Sequence, residues 1–174
     1  MWSICLSGFE KRDSMEQITT REARACDAQR IVEMIAHLAQ HHDDLAQIEV
    51  EDLVFLCFGP TPWLKLIVAE REGQIVGYAA LQKKVQLQFA RRLMDVQHLF
   101  VDAAMRGQGV GRALMQSAAE HAALHRCAGL TLGVMAHNLH AQGFYREIGF
   151  EERETGGAIQ MMRALPLQCA HSNP

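Results

Sequence analysis

From Asp95 to Leu114 the chain reads Asp-Val-Gln-His-Leu-Phe-Val-Asp-Ala-Ala-Met-Arg-Gly-Gln-Gly-Val-Gly-Arg-Ala-Leu, and no other stretch limits the fold so strongly. Val96 to Asp102 is a short apolar run of the kind that forms a strand. Ala103 to Gly107 is a turn. From Gly109 the spacing becomes helical, with Val110, Ala113, Leu114, Ser117, Ala118 and His121 on one face. A strand that passes through a glycine-rich turn into a helix aims backbone N–H groups outward. The first N–H groups of a helix have no internal partner, and the helix dipole makes that end positive. Such an end is a ready site for phosphate. Glycine lets the phosphate oxygens come close, because a Cβ would stand in front of the N–H groups.

The dinucleotide fingerprint Gly-x-Gly-x-x-Gly is not met, because Arg112 stands where the third glycine belongs after Gly107 and Gly109. The P-loop is not met either, since no Gly-Lys-Ser/Thr follows. The pattern present is Arg-x-x-Gly-x-Gly, made by Arg106, Gly109 and Gly111. A ligand-free glycine turn would satisfy the loop by itself. Further on, Gly129 to Met135 alternates like a strand, and Asn138-Leu-His-Ala-Gln-Gly-Phe-Tyr145-Arg-Glu-Ile-Gly149-Phe150 follows.

With both motifs in this order, the chain resembles the GNAT superfamily of N-acetyltransferases from roughly Ile18 to Leu165, with some similarity to the diamine acetyltransferase branch. The resemblance implies an α/β (α+β) fold: a mixed, mostly antiparallel central sheet with a splayed centre and helices on both faces. Around it the residues read as a flexible leader (1–16), a single acetyltransferase domain (17–166) and a tail (167–174). The resemblance further implies acetyl-CoA as co-substrate, a small-molecule amine as acceptor and a homodimer. The backbone of Leu99, Phe100 and Val101 is expected to pair with the pantetheine arm and donate to the thioester oxygen. The segment Arg106, Gly107, Gln108, Gly109, Val110, Gly111 and Arg112 is expected to hold the pyrophosphate. Asn138 is expected to bond the pantetheine or the acceptor, and Tyr145 to contact the cofactor and act as general acid. Tyr145 packed on Phe144 and Phe150 is the structural alternative.

The base departs from the diamine pattern. Where that branch carries Glu-Asp, this chain has Gln97-His98 before Leu99-Phe100-Val101. Gln97 cannot take a proton, whereas an imidazole is suited to neutral pH. His98 is the candidate, and a carboxylate acting through water, Glu51 or Asp95, is the alternative. Regular alternation turns Gln97 and His98 to opposite faces, so only one of them can point into a given cleft, and a bulge could change which one does.

The rest of the chain supports one soluble domain. The 174 residues suffice for a full core, and the formal net charge of -3 gives no basic surface for nucleic acid. No apolar run approaches the length of a membrane span. The five cysteines are odd in number and lack C-x-x-C spacing, which points to a reducing cytoplasm. The pairs His37/His41 and His121/His125 lack a third ligand, so no metal is expected.

Gln17 to Arg21 reads as an edge strand. Asp27 reads as the cap of a helix with Ile31, Met34, Ile35 and Leu38 on its apolar face, and Ile48 to Phe58 as a second helix. Leu64 to Glu70 and Gln74 to Leu81 form a hairpin turned at Glu72-Gly73, with Lys83 to Ala90 either extending it or looping out. Glu151 to Arg153 and Ala158 to Leu165 read as strands. Asp43, Asp44, Glu49, Glu51 and Asp52 form an acidic stretch that is either solvated surface or an attractor for a cationic amine. Glu51, Asp52 and Gln97 are the substrate-binding candidates. A peptide or protein amine as acceptor, and a non-catalytic acyl-CoA binding module, are the competing functions.

Overall fold

The computed structural model describes residues 17–41 and 44–152. The expected leader, the tail, Asp43, the strand at Ala158 to Leu165 and Arg153 lie outside the described residues; Glu151 and Glu152 are described and are not in a strand. The chain falls into two compact units, Met1–Met135 and Ala136–Pro174.

The first unit is a sheet of five strands: β1 (Thr19–Glu22), β2 (Lys65–Arg71), β3 (Gln74–Gln86), β4 (Arg91–Val101) and β5 (Leu130–Leu132). They lie side by side in chain order. The first three pairings are antiparallel and the last, β4 with β5, is parallel. A parallel neighbour needs a crossover, and α3 (Val110–Leu124) supplies it. Before β2 come α1 (Ala28–His41) and α2 (Val50–Phe58).

Alternation sorts the sheet's side chains between two layers. On one face Tyr78, Ala80 and Phe100 pack with Leu66 and Val68 against Ile31 and Met34 of α1 and Leu53 of α2. On the other face α3 turns Val110, Leu114, Met115, Ala118 and Ala122 inward. Gly77 is what lets α3 come close: a Cβ there would lie 2.7 Å from the Phe100 carbonyl oxygen and 3.3 Å from side-chain atoms of Leu114 and Val110. Helices therefore cover both faces of this sheet. Strand β5, the edge strand among the described residues, pairs with β4 only at Met94, Asp95 and Val96, so the rest of that edge of β4 is left without β5.

Several boundaries differ from the sequence expectation for local reasons. Strand β4 begins at Arg91, because β3 runs on to Gln86 and carries its polar partner with it. A short 3-10 turn, Leu87–Phe89, then joins the two. The β2–β3 turn has Glu72 and Gly73 both at positive φ, 52° and 74°, as a tight hairpin with right-handed twist requires. Asp27 does not cap α1 from outside. It closes a 3-10 turn, Ala25–Asp27, by accepting from the Arg24 N–H at 2.7 Å. Its carboxylate also takes the fork of Arg21 at 2.7 and 3.1 Å, and that guanidinium holds it below the usual carboxylate range.

The second unit contains α4 (Leu139–Glu147). Asn138 caps it, its side-chain oxygen accepting from the Ala141 N–H at 3.0 Å. Gly149 ends it at φ 92°, a conformation that suits glycine.

Candidate functional site

The glycine loop is built as the sequence pattern requires. After β4 the chain makes a 3-10 turn, Ala103–Met105, and then passes Gly107 and Gly109 at φ 75° and 87°. Both values lie in the left-handed region that costs an L-residue roughly 1–2 kcal/mol. A Cβ at either glycine would meet nothing within 4 Å, so the cradle opens outward. Gly109 is the N-cap of α3, and the first bond inside the helix is Ala113 N–H to the Gly109 carbonyl at 3.0 Å. The N–H groups of Val110, Gly111 and Arg112 precede that bond and have no acceptor within the helix. Arg106, Gln108 and Arg112 are exposed around them, Gly111 is half-buried and Val110 is in the core.

Three contacts hold this loop that the sequence did not disclose. Arg71, at the end of β2, donates to Gln108 Oε1 at 2.5 Å. Gln108 in turn donates to the Ala104 carbonyl at 2.8 Å. The Arg106 Nε folds back on the Val101 carbonyl at 3.2 Å. Gln108 therefore braces the loop through its side chain, and Arg71 brings a further positive charge to it.

Strand β4 contains a bulge, which the sequence raised as a possibility but could not place. His98 pairs with Ala80 and Val96 with Leu81, so Gln97 is the extra residue between them. Met94 and Val96 are buried toward α3, yet His98 and Phe100 lie on the opposite face with Tyr78. Gln97 shares that face, donating to Gln82 Oε1 at 3.0 Å. The two residues consequently line one cleft of about 380 Å³, between α1, the segment before α2 and the sheet. At its floor His98 Nδ1 is 3.1 Å from the Tyr78 hydroxyl. Tyr78 is fully buried, and burial pushes its phenol well above the usual range, so it stays protonated. When the imidazole carries its proton on Nδ1, it donates to Tyr78 Oη and leaves Nε2 as its basic atom. Nothing in the sequence marked Tyr78, because a tyrosine in an apolar alternating run reads as core.

The other candidates sit as follows. Leu99 and Val101 are half-buried and Phe100 is 4% exposed. Asp95 accepts from Thr131 Oγ1 at 2.5 Å and faces the Lys84 ammonium at 3.9 Å, so its carboxylate is already engaged. Of the acidic stretch, Asp44 lines the His98 cleft. Glu51 and Asp52 lie exposed on the first turn of α2, where Asp52 accepts from the Glu49 N–H at 3.1 Å as part of the helix cap. A second, larger cleft of about 590 Å³ borders the glycine loop and includes Arg30, His37, Phe100, Asp102 and Arg106. Arg30 is ion-paired there with Asp102 at 2.6 Å.

In the second unit Tyr145 is half-buried, with its ring centroid 5.3 Å from that of Phe144 and 5.8 Å from that of Phe150. Burial raises its pKa, which keeps the phenol protonated and able to donate. The packing reading and the acid reading are therefore compatible. Asn138 has committed its oxygen to the helix cap, so its amide N–H is the end that faces other tasks. Among the described residues there is no cluster of side chains able to hold a metal ion, and no helix is long and apolar enough to cross a membrane.

Comparison with known proteins gives a consistent picture. The family described as Acetyltransferase (GNAT) matches residues 23–150. The thialysine N-epsilon-acetyltransferase of Bos taurus is 29% identical over 148 residues, which span 79% of this chain and 86% of that protein. A peptidyl-lysine N-acetyltransferase of Escherichia coli (strain K12) is 39% identical over 113 residues, 63% of this chain and 65% of the relative. Among solved structures, an acetyltransferase of Trypanosoma brucei superposes with a TM-score of 0.66 at 22% identity, covering 86% of this chain and all (100%) of that one; it shows the shared fold.

Proposed function

This chain belongs to the acetyltransferase (GNAT) family and is an acetyl-CoA dependent N-acetyltransferase, and from that premise we propose that its acceptor is the primary amine of a small cationic molecule, with His98 as base and Tyr145 as acid. The observation that carries the reading is the β4 bulge, which sets Gln97 and His98 in one cleft with Tyr78 beneath His98 at 3.1 Å.

The reaction has three physical needs. The thioester must be held beside the nucleophile, a contribution of about 7–11 kcal/mol when the geometry is right. The carbonyl oxygen gains charge and needs a fixed N–H donor, worth about 2.7–4 kcal/mol. The ammonium must lose a proton, and the departing thiolate must gain one. In this reading the N–H groups from Arg106 to Arg112 hold the pyrophosphate, helped by the charges of Arg106 and Arg112. Beyond Val96 the strand has no β5 partner, and the backbone of Leu99 to Val101 there meets the pantetheine arm and the thioester oxygen. The His98 Nε2 removes the amine proton while Tyr78 holds Nδ1. The family resemblance gives Tyr145 the role of donor to the thiolate and the Asn138 amide that of bonding the pantetheine or the acceptor.

The field of Asp44, Glu51 and Asp52 draws the cationic amine toward the cleft, and Gln97 offers it a carbonyl oxygen. A lysine side chain of a peptide is the second reading, favoured by the similarity to the Escherichia coli enzyme. The protein is taken to act in the cytoplasm, as a homodimer.

The site assignment is tested by calorimetric titration with acetyl-CoA. Gly109→Val places a β-branched residue at φ 87° in front of the N–H cradle and is expected to abolish binding. Arg112→Glu leaves the backbone alone and is expected to weaken binding, most at low salt. Parent-like affinity in both folded variants would remove the loop from the site.

A further inference from the structure

We propose that the acceptor carries its amine on an apolar body, as alkyl and aryl-alkyl primary amines do, with a single ammonium rather than the two or more of a polyamine. This rests on the reading that the His98 cleft receives the acceptor. The walls of that cleft motivate it. Ile35, Leu38, Leu45, Ile48, Leu64 and Leu66 surround the floor formed by Tyr78, Ala80, Gln97 and His98. Charge enters the lining at Asp44, and a titratable ring at His98. Leu45 stands at the edge 83% exposed, a large apolar side chain that an apolar ligand would cover.

Two competing forces decide between an alkylamine and a diamine of the same length. Each methylene removed from water favours binding by a factor of up to about four. A distal ammonium laid against aliphatic walls loses its hydration and needs a partner there. Among the described residues that line the cleft, Asp44 is the carboxylate on offer. It is exposed, and its Oδ1 already accepts from the Leu45 N–H at 2.8 Å. An exposed pair in water contributes little. The apolar term therefore wins: the reacting amine meets His98 at the floor, and the body lies along the leucine and isoleucine walls.

The experiment is thiol release from acetyl-CoA with propylamine, butylamine, pentylamine and hexylamine, and with 1,5-diaminopentane, which has as many non-hydrogen atoms as hexylamine. The proposal expects kcat/KM to rise about two- to fourfold per methylene, the upper figure being full transfer out of water. It expects hexylamine to exceed 1,5-diaminopentane at least about tenfold. Leu45→Ser, a change at an exposed position, should lower the ratio of hexylamine to propylamine. A flat series, or a diamine equal to hexylamine, overturns the proposal while the acetyltransferase assignment stands. If acetyl-CoA binds and none of these amines is acetylated, the cleft is not the acceptor site, and the proposal falls together with that reading.

Discussion

The two halves of β4 share one strand and one neighbour, β3, yet they are built differently. From Arg91 to Val96 the alternation is regular, Met94 and Val96 are 1% and 4% exposed, and β5 pairs along the second edge at Met94 to Val96. Asp95 is locked there by Thr131 and Lys84. From Gln97 to Val101 the strand opens with a bulge, and β5 does not follow it. The first half uses its hydrogen-bonding groups for the sheet. The second half keeps one edge of backbone and two polar side chains directed at a cleft. A single inserted residue thus separates the half of the strand built into the sheet from the half that borders the cleft.

The largest effect expected on the first half is Met94→Ala. Truncating a buried methionine there should lower unfolding free energy by about 2–5 kcal/mol, with kcat/KM per folded molecule unchanged. Chemical denaturation with active-site titration checks it. A loss of turnover without loss of stability would break the division between the halves.

Deleting Gln97 sharpens the same comparison. Because Gln97 is the extra residue, its removal restores regular pairing and leaves His98 opposite Ala80 on its present face. The fold should survive. The strand would straighten, and a shift of about 1 Å at His98 is enough to lower kcat/KM about a hundredfold. Circular dichroism with steady-state kinetics would reveal an intact, weakened enzyme. Full activity would show that the bulge aims nothing.

What the sequence disclosed follows the same division. The strand, loop and helix from Val96 to Leu124 were legible, because glycine position and apolar spacing are local properties. Of the two glycines in the Arg-x-x-Gly-x-Gly pattern, Gly109 adopts positive φ, whereas Gly111 lies inside α3 and the second left-handed position falls on Gly107. The bulge was not, since it is a mismatch between Ala80-Leu81 on one strand and Val96 to His98 on another, and no single stretch encodes a register. Arg71 bonding Gln108 and Tyr78 bonding His98 are likewise contacts across strands, 37 and 20 residues apart. The early start of β4 at Arg91 was hidden by its polar residues, which an exposed hairpin tolerates. The acidic stretch showed its charge but not its geometry: Asp52 serves a helix cap while Asp44 reaches the cleft.

The most direct test of the central claim, that the bulge presents His98 as the base, is the pH dependence of kcat/KM for the parent and His98→Ala. Nδ1 of His98 lies 3.1 Å from the hydroxyl of the buried Tyr78, which fixes the ring at the floor of the cleft. The account predicts that the parent loses activity on the acidic side as an imidazole takes up its proton. In His98→Ala that limb should vanish and the rate should fall by about 10²–10⁴-fold. A His98→Ala enzyme with the parent's rate and an unchanged acidic limb would contradict it and move the base to a carboxylate or to water.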